Sequence, residues 1–454
     1  MDRQLTPGAI ARSYSSDGEA WRIPSGGPAH STNPYIDRAI AMERVHETID
    51  SGPIIRPCKR VPPFSLLLWV LFGASGWWSA NVMFSELPLF VVELPAAEKL
   101  GNQLALMTQM GNIFLIGYKI MQKYFQFDTG TVIQASMFAG VVSLTLCSLT
   151  WDTLVHGRSI PLLMLMGITG GIGCLSNSTY WPFMISYPAV CTKACGVGMS
   201  LGGVFTTWLA AAQLGDRPAS APRFSARAYF LTAAVLQCCL WLVVLLIEGR
   251  LEGCLSCIGL QSNSSNDMSV GLFRMTSEPL ENHAQSRALL AVLFCCAFLV
   301  QAMTYTLPSL MPYVASACEE SDSEQQILLW MLVSQQVGET AGRLLAPVGR
   351  AKFLLPAIGA VYFFFVFFIF FALAMRPTAL GHFISCDWAP PVLAAMSFGF
   401  YCSFGVMQTF IFLCARRLAR DKEHKEVLAS DIGFFGQMGS LTANVLAFGA
   451  LNMT

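Results

Sequence analysis

The sequence predicts an all-α, multi-pass membrane protein of about eleven transmembrane helices, six before a long polar gap and five after it, with the amino terminus cytosolic and the carboxyl terminus extracellular. Three observations carry that prediction. Mean hydropathy over the 454 residues is +0.52, and only 12% of residues are charged, about half the roughly 25% of soluble domains. Apolar runs of roughly 20 residues, each long enough to cross a hydrocarbon core of about 30 Å as a helix, recur along the chain. Basic residues fall mainly in alternate loops, which sets the orientation.

Taken in order, residues 1–62 are rich in Ser, Gly, Pro and Arg and hold no apolar core of a signal peptide, so they read as a disordered cytosolic tail. The first half, 63–247, carries expected spans at about 64–86, 102–122, 130–150, 160–183, 193–213 and 227–247. A polar cytosolic loop, 248–287, follows. The second half, 288–454, carries spans at about 288–311, 326–347, 353–374, 390–414 and 430–451. This two-halved plan is that of a transporter. With the amino terminus inside, the outer loops hold only Lys99, Arg158, Arg217, Arg223, Arg227 and Arg376, against sixteen basic residues in the inner loops. The outer loop 318-CEESDSE-324 is purely acidic.

Charge and cysteine content exclude several classes. Lys+Arg and Asp+Glu balance at 28 each, which gives no argument for a nucleic-acid partner. The fifteen cysteines lie mostly in apolar runs, where a thiol acts as a small hydrophobe. Cys254 and Cys257 form one CxxC without a second half, and the six histidines fall in tails or loops, so no metal site and no cofactor are expected. Gly198-Met199-Ser200-Leu201-Gly202 matches a nucleophile elbow, but that motif needs a strand-turn-helix and a histidine; inside an apolar helix its small residues serve close packing. An enzyme is therefore not expected. The sequon at Asn263 falls in the cytosolic loop, where no glycan is expected.

Polar residues within the spans carry the functional reading, because each needs another helix, water or a ligand. Trp77, Asn81 and Phe84 follow i, i+4, i+7 and share a face of the first span. Gln109 and Asn112 lie three apart in the second, Asn177 and Trp181 four apart in the fourth, and Gln437, Ser440 and Asn444 form one stripe in the last. Each pair alone reads as interhelical glue. Together, amides and aromatics suit a flat, neutral, hydroxyl-rich solute, since aromatic faces stack and amides both donate and accept without a counter-ion. Glu86 lies near the outer end of the first span. Glu339 and Arg343 form an i, i+4 pair that reads equally as a salt bridge or a gate.

Three blocks then resemble one family. The run 72-FGASGWWSANVMFSELPLFVVELP-95 is similar to the first helix of the eukaryotic riboflavin transporters, solute carrier family 52, with its F-G-x-x-S/G-W, its following Asn and its paired E-L-P triplets. The segment 174-CLSNSTYWPFMISYP-188 resembles that family's C-x-S-N-V-T-F-L-P-F, and 436-GQMGSLTANVLAF-448 resembles its final helix. The resemblance implies a major-facilitator-like arrangement of eleven spans and carrier-mediated riboflavin uptake across the plasma membrane. It places substrate-binding residues at Trp77, Asn81, Glu86, Gln109, Asn112, Asn177, Thr179 and Gln437, and keeps Thr304 in a seventh helix whose family asparagines are replaced by Gln301 and Tyr305. Trp181 joins as a second stacking aromatic. Gln408 stands where the family has a lysine. Cys318 and Cys386 sit at the family's outer-loop cysteines, which implies a disulfide between them. The expected partners are riboflavin and the lipid bilayer, with no nucleic acid, and nothing in the sequence sets an oligomeric state. The rival readings are a carrier of another flat neutral solute, such as a nucleoside or a different vitamin, and a non-transporting membrane receptor.

Overall fold

The computed structural model describes residues 63–453 except for 98, 126–127, 186–188, 216, 218–220, 248–282, 317–320, 347–353, 377–379, 381–384, 387 and 420–421. The expected tail, the sequon, Cys254, Cys257 and Cys318 lie outside the described residues. Fourteen helices are described: α1 (Pro63–Ser75), α2 (Trp78–Ser85), α3 (Leu87–Glu93), α4 (Lys99–Met110), α5 (Asn112–Tyr124), α6 (Thr129–Thr150), α7 (Ile160–Ile185), α8 (Ala189–Leu214), α9 (Ala226–Ile247), α10 (His283–Ala315), α11 (Ser321–Leu345), α12 (Leu354–Met375), α13 (Ala389–Leu418) and α14 (Lys422–Met453). Apart from one isolated bridge between Val155 and Arg158, helix is the regular structure of the described residues. Only helices and closed barrels satisfy every backbone donor and acceptor inside lipid.

All eleven expected spans fall on helix. Among the described residues, eight helices are long and apolar enough to cross a membrane on their own, and the bent pair α1–α2 makes a ninth if it is one span. The other two expected spans fall on α4–α5, which is broken, and on α11, which is the more polar. Helix α10 starts at His283, inside the expected loop, so His283 and His424 both sit in first turns of helices. Helix α12 turns Val361, Phe365 and Phe368 outward, as a lipid-facing helix must.

Two breaks shape the centre of the bundle. Helices α1 and α2 meet at 60° across Gly76 and Trp77, where the Gly76 amide donates to the Gly73 carbonyl at 3.1 Å. A Ser-Gly pair is a recognised cause of such kinks. The second break is at Gly111 between α4 and α5. At the first the chain leaves its helical path beside Trp77, one of the residues the sequence singled out, and discontinuous helices of this kind build midplane sites in transporters; at the second Gly111 keeps helical dihedrals and its amide still donates to the Met107 carbonyl at 3.2 Å.

Packing within the first half depends on glycine. A Cβ on Gly73 would lie 2.0 Å from the Cys195 carbonyl oxygen, and one on Gly198 would lie 2.0 Å from the Val70 carbonyl oxygen. Helices α1 and α8 thus touch backbone to backbone, which is the use made of the G-x-S-x-G stretch. Ser200 is buried and donates to the Val197 carbonyl within its own helix at 2.9 Å. Trp78 packs inward, its indole N–H donating to the Ala233 carbonyl of α9 at 3.0 Å.

Helices α1–α9 and α10–α14 meet where α8 packs on α11, α7 on α14, and α4 on both α10 and α14. At the end of the bundle where α1 begins, polar bonds cross between the halves. Lys119 pairs with Asp431 at 3.0 Å and donates to the Ser430 hydroxyl at 2.6 Å. Lys193 donates to the Leu344 carbonyl at 2.7 Å and to that of Ala346 at 3.2 Å. At the opposite end, Gln326 donates to the Gly215 carbonyl at 2.8 Å.

Candidate substrate-binding site

A cavity lies between the halves, with about 830 Å³ of space between atoms when its open mouth is included and about 50 Å³ of room for water-sized groups. Five of the residues expected from sequence line it: Trp77, Asn81, Gln109, Asn177 and Thr304. Phe84, on the same stripe as Trp77 and Asn81, lines it too.

Trp77 holds its place through two neighbours. Its ring stacks on Tyr305 with centroids 5.1 Å apart and planes 25° apart, and its benzo edge lies against Gly173, where a Cβ would come within 2.6 Å. Tyr305, one of the two departures from the family pattern in the seventh helix, therefore brings α10 of the second half onto Trp77. The aromatic surface of the cavity is a Trp–Tyr pair and not a lone tryptophan.

The far wall comes from α11 and α13. Gln335, Gln336, Glu339 and Arg343 of α11 line the cavity together with Tyr401, Phe404 and Gln408 of α13. Arg343 is buried. Its guanidinium pairs with Glu339, donates to Gln408 Oε1 at 2.8 Å, and crosses to the first half to donate to the Gly196 carbonyl at 2.7 Å. The i, i+4 pair is thus both a salt bridge and a bond between halves. The sequence signal for this wall was Gln335, Gln336, Glu339 and Arg343 recurring within one otherwise apolar span.

The other expected residues sit elsewhere. Asn112 lies past the break and turns back, donating to the Gln109 carbonyl at 2.9 Å and to Gln109 Oε1 at 3.1 Å. Thr179 donates to the Leu175 carbonyl of its own helix at 3.1 Å. Trp181 stacks on Phe412 at 4.0 Å with planes 7° apart, joining α7 to α13. Gln437 is fully buried, and neither amide atom has a partner. Its stripe mates act as helix contacts: Ser440 donates to the Gln301 carbonyl at 3.1 Å, and Asn444 donates to the Ser440 carbonyl at 2.9 Å. Glu86 lies between α2 and α3, fully buried beside Gln213, and neither carboxyl oxygen meets hydrogen-bond geometry. Cys386 is a half-cystine.

Two packed helical halves surround a polar, aromatic-lined central cavity. The crystal structure of a D-xylose-proton symporter shares this fold, with a TM-score of 0.52 at 10% identity, over 85% of this chain and 90% of that one. Residues 63–454 match the solute carrier family 52, riboflavin transporter, and the chain belongs to that family. Among relatives, solute carrier family 52, riboflavin transporter, member 3-B of Danio rerio is 30% identical over 156 residues, 33% of this chain and 34% of that protein. Member 2 of Homo sapiens is 26% identical over 162 residues, 35% and 36% of the two chains. The matched stretch spans about a third of the length of each relative.

Proposed function

We propose that the chain is a riboflavin carrier of the plasma membrane, with the two halves rocking about the central cavity. The observation that carries this reading is the lining: a stacked Trp77–Tyr305 pair faces neutral amides at Asn81, Gln109, Asn177, Gln335 and Gln408. An isoalloxazine ring is flat and uncharged, and its edges and polyol chain both donate and accept hydrogen bonds, which is what aromatic walls and amides supply. Glu339 and Arg343 neutralise each other, so the wall asks for no charged solute. Two relatives named as riboflavin transporters support the same solute.

Alternating access follows from the bonds between halves. Arg343 to Gly196, Lys193 to the α11 terminus and Lys119 to Asp431 close one end, which the positive-inside distribution assigns to the cytosol. Opening that end requires them to part. No covalent step and no cofactor enters the scheme.

The test is uptake of radiolabelled riboflavin by cells expressing the chain, with nucleosides as competitors. Saturable riboflavin uptake that nucleosides do not displace is expected. Uptake of a nucleoside instead would reassign the solute, and uptake of neither would favour a receptor. Trp77→Ala and Asn81→Ala are expected to weaken riboflavin affinity at normal surface expression; unchanged affinity would remove α2 from the site.

A further inference from the structure

A second, smaller chamber adjoins the central cavity, and Asn177 and Gln408 line both. It lies between α7, α10, α13 and α14, encloses about 280 Å³ between atoms, and has room for a single water-sized group. Its walls are mostly apolar, with Val300, Ile411 and Phe412 among them.

The polar atoms that reach it are the unusual feature. Gln301 Oε1 and Asn177 Nδ2 are buried and have no hydrogen-bond partner, the Tyr305 hydroxyl lying beside Asn177 without meeting bond geometry. Buried polar atoms are ordinarily paired, and each one left alone costs about 1–3 kcal/mol. A Cβ on Gly436 would come within 2.8 Å of Gln301 Cγ, so α14 packs on that side chain, and one on Gly433 would come within 2.4 Å of the Asn177 main-chain carbonyl oxygen, so the backbones of α14 and α7 touch there. Ser440 also holds the Gln301 main-chain carbonyl.

One atom accepts and the other donates. A carboxylate entering the chamber would satisfy only the donor and an ammonium only the acceptor, whereas an alcohol satisfies both. We propose that this chamber is a hydroxyl subsite that takes the terminal hydroxyl of the substrate's polyol chain, with Gln301 and Asn177 as its specificity-determining partners. The flat ring stays in the central cavity against Tyr305. The terminal hydroxyl is assigned because the chamber adjoins the central cavity at Asn177 and Gln408 and has room for one water-sized group. The assignment rests on the riboflavin reading.

The experiment compares ligands on the purified full-length protein by quenching of flavin fluorescence. Lumiflavin carries the same ring with a methyl in place of the polyol chain; 5′-deoxyriboflavin lacks only the terminal hydroxyl. On the wild-type protein, 5′-deoxyriboflavin is expected to bind at least about tenfold more weakly than riboflavin, the loss of the two hydrogen bonds its terminal hydroxyl makes. In Gln301→Met, riboflavin affinity is expected to fall about tenfold while lumiflavin affinity stays unchanged. Equal binding of riboflavin and its deoxy analogue by the wild type, or equal losses for riboflavin and lumiflavin in the variant, would overturn the subsite and leave a structural water in its place. If the wild type binds neither flavin, the riboflavin reading itself fails, which is a different outcome from the ratio tests. The wild-type comparison needs no variant to fold.

Discussion

Gly173→Ala tests whether the Trp77–Tyr305 pair forms the substrate wall. The added Cβ would lie 2.6 Å from Trp77 Cε3, 2.8 Å from Cζ3 and 2.9 Å from Cδ2, closer than carbon atoms pack, so something must move. Helix α7 has little room to retreat, because Gly170 already brings it against the α4 backbone at Thr108. The ring at the α1–α2 break is the softer element. Overpacking of this kind costs about 1–3 kcal/mol, and if the ring moves off its stacking position that cost is read as about a five- to hundredfold loss of riboflavin affinity. Flavin fluorescence quenching on purified protein measures the affinity, and Tm measured in parallel shows whether folding is intact. Trp77→Phe in the same chain removes most of the ring that the methyl strikes, and the double variant is expected to regain part of the affinity. Wild-type affinity in Gly173→Ala, or a double variant no better than the single one, would refute the reasoning.

Four further outcomes follow from the same contacts. Arg343→Gln leaves Glu339 buried without its cation, which typically costs about 3–5 kcal/mol, so it is expected to lower Tm and surface protein, and Glu339→Gln in the same chain to restore both in part; a double variant as impaired as Arg343→Gln counts against the pair. Gly198→Ala drives a methyl into the Val70 carbonyl at 2.0 Å and is expected to lose folded protein, measured by size-exclusion yield, whereas Gly117→Ala, with nothing within 4 Å, is expected to be neutral. Glu86→Gln, at a carboxyl with no paired oxygen, is expected to leave riboflavin affinity near wild type, and a tenfold loss would return Glu86 to the binding site. The expected Cys318–Cys386 disulfide is checked by mass mapping of protein from cells; finding both as free thiols would remove it.

What was legible in the sequence was local. The Trp77, Asn81, Phe84 spacing named a face that does reach the cavity. Gln109 and Asn112, three apart, do meet, Asn112 donating to Gln109 Oε1 at 3.1 Å, but of the two only Gln109 lines the cavity, so the shared face named a contact and not two ligand groups.

The sequence by itself determined the class of protein, because an apolar run of about 20 residues can satisfy its backbone in lipid only as a helix. It also determined the family, through short blocks of residues in fixed order. Tertiary structure decided which polar groups meet. Periodicity fixes the face a residue occupies on its own helix, but not the helix across from that face, which is set by how closely backbones approach at glycines such as Gly73 and Gly198. Tyr305 read as a departure until it was seen stacked on Trp77. Arg343 read as half of a local pair until its second bond reached Gly196, far away in the sequence and in the other half.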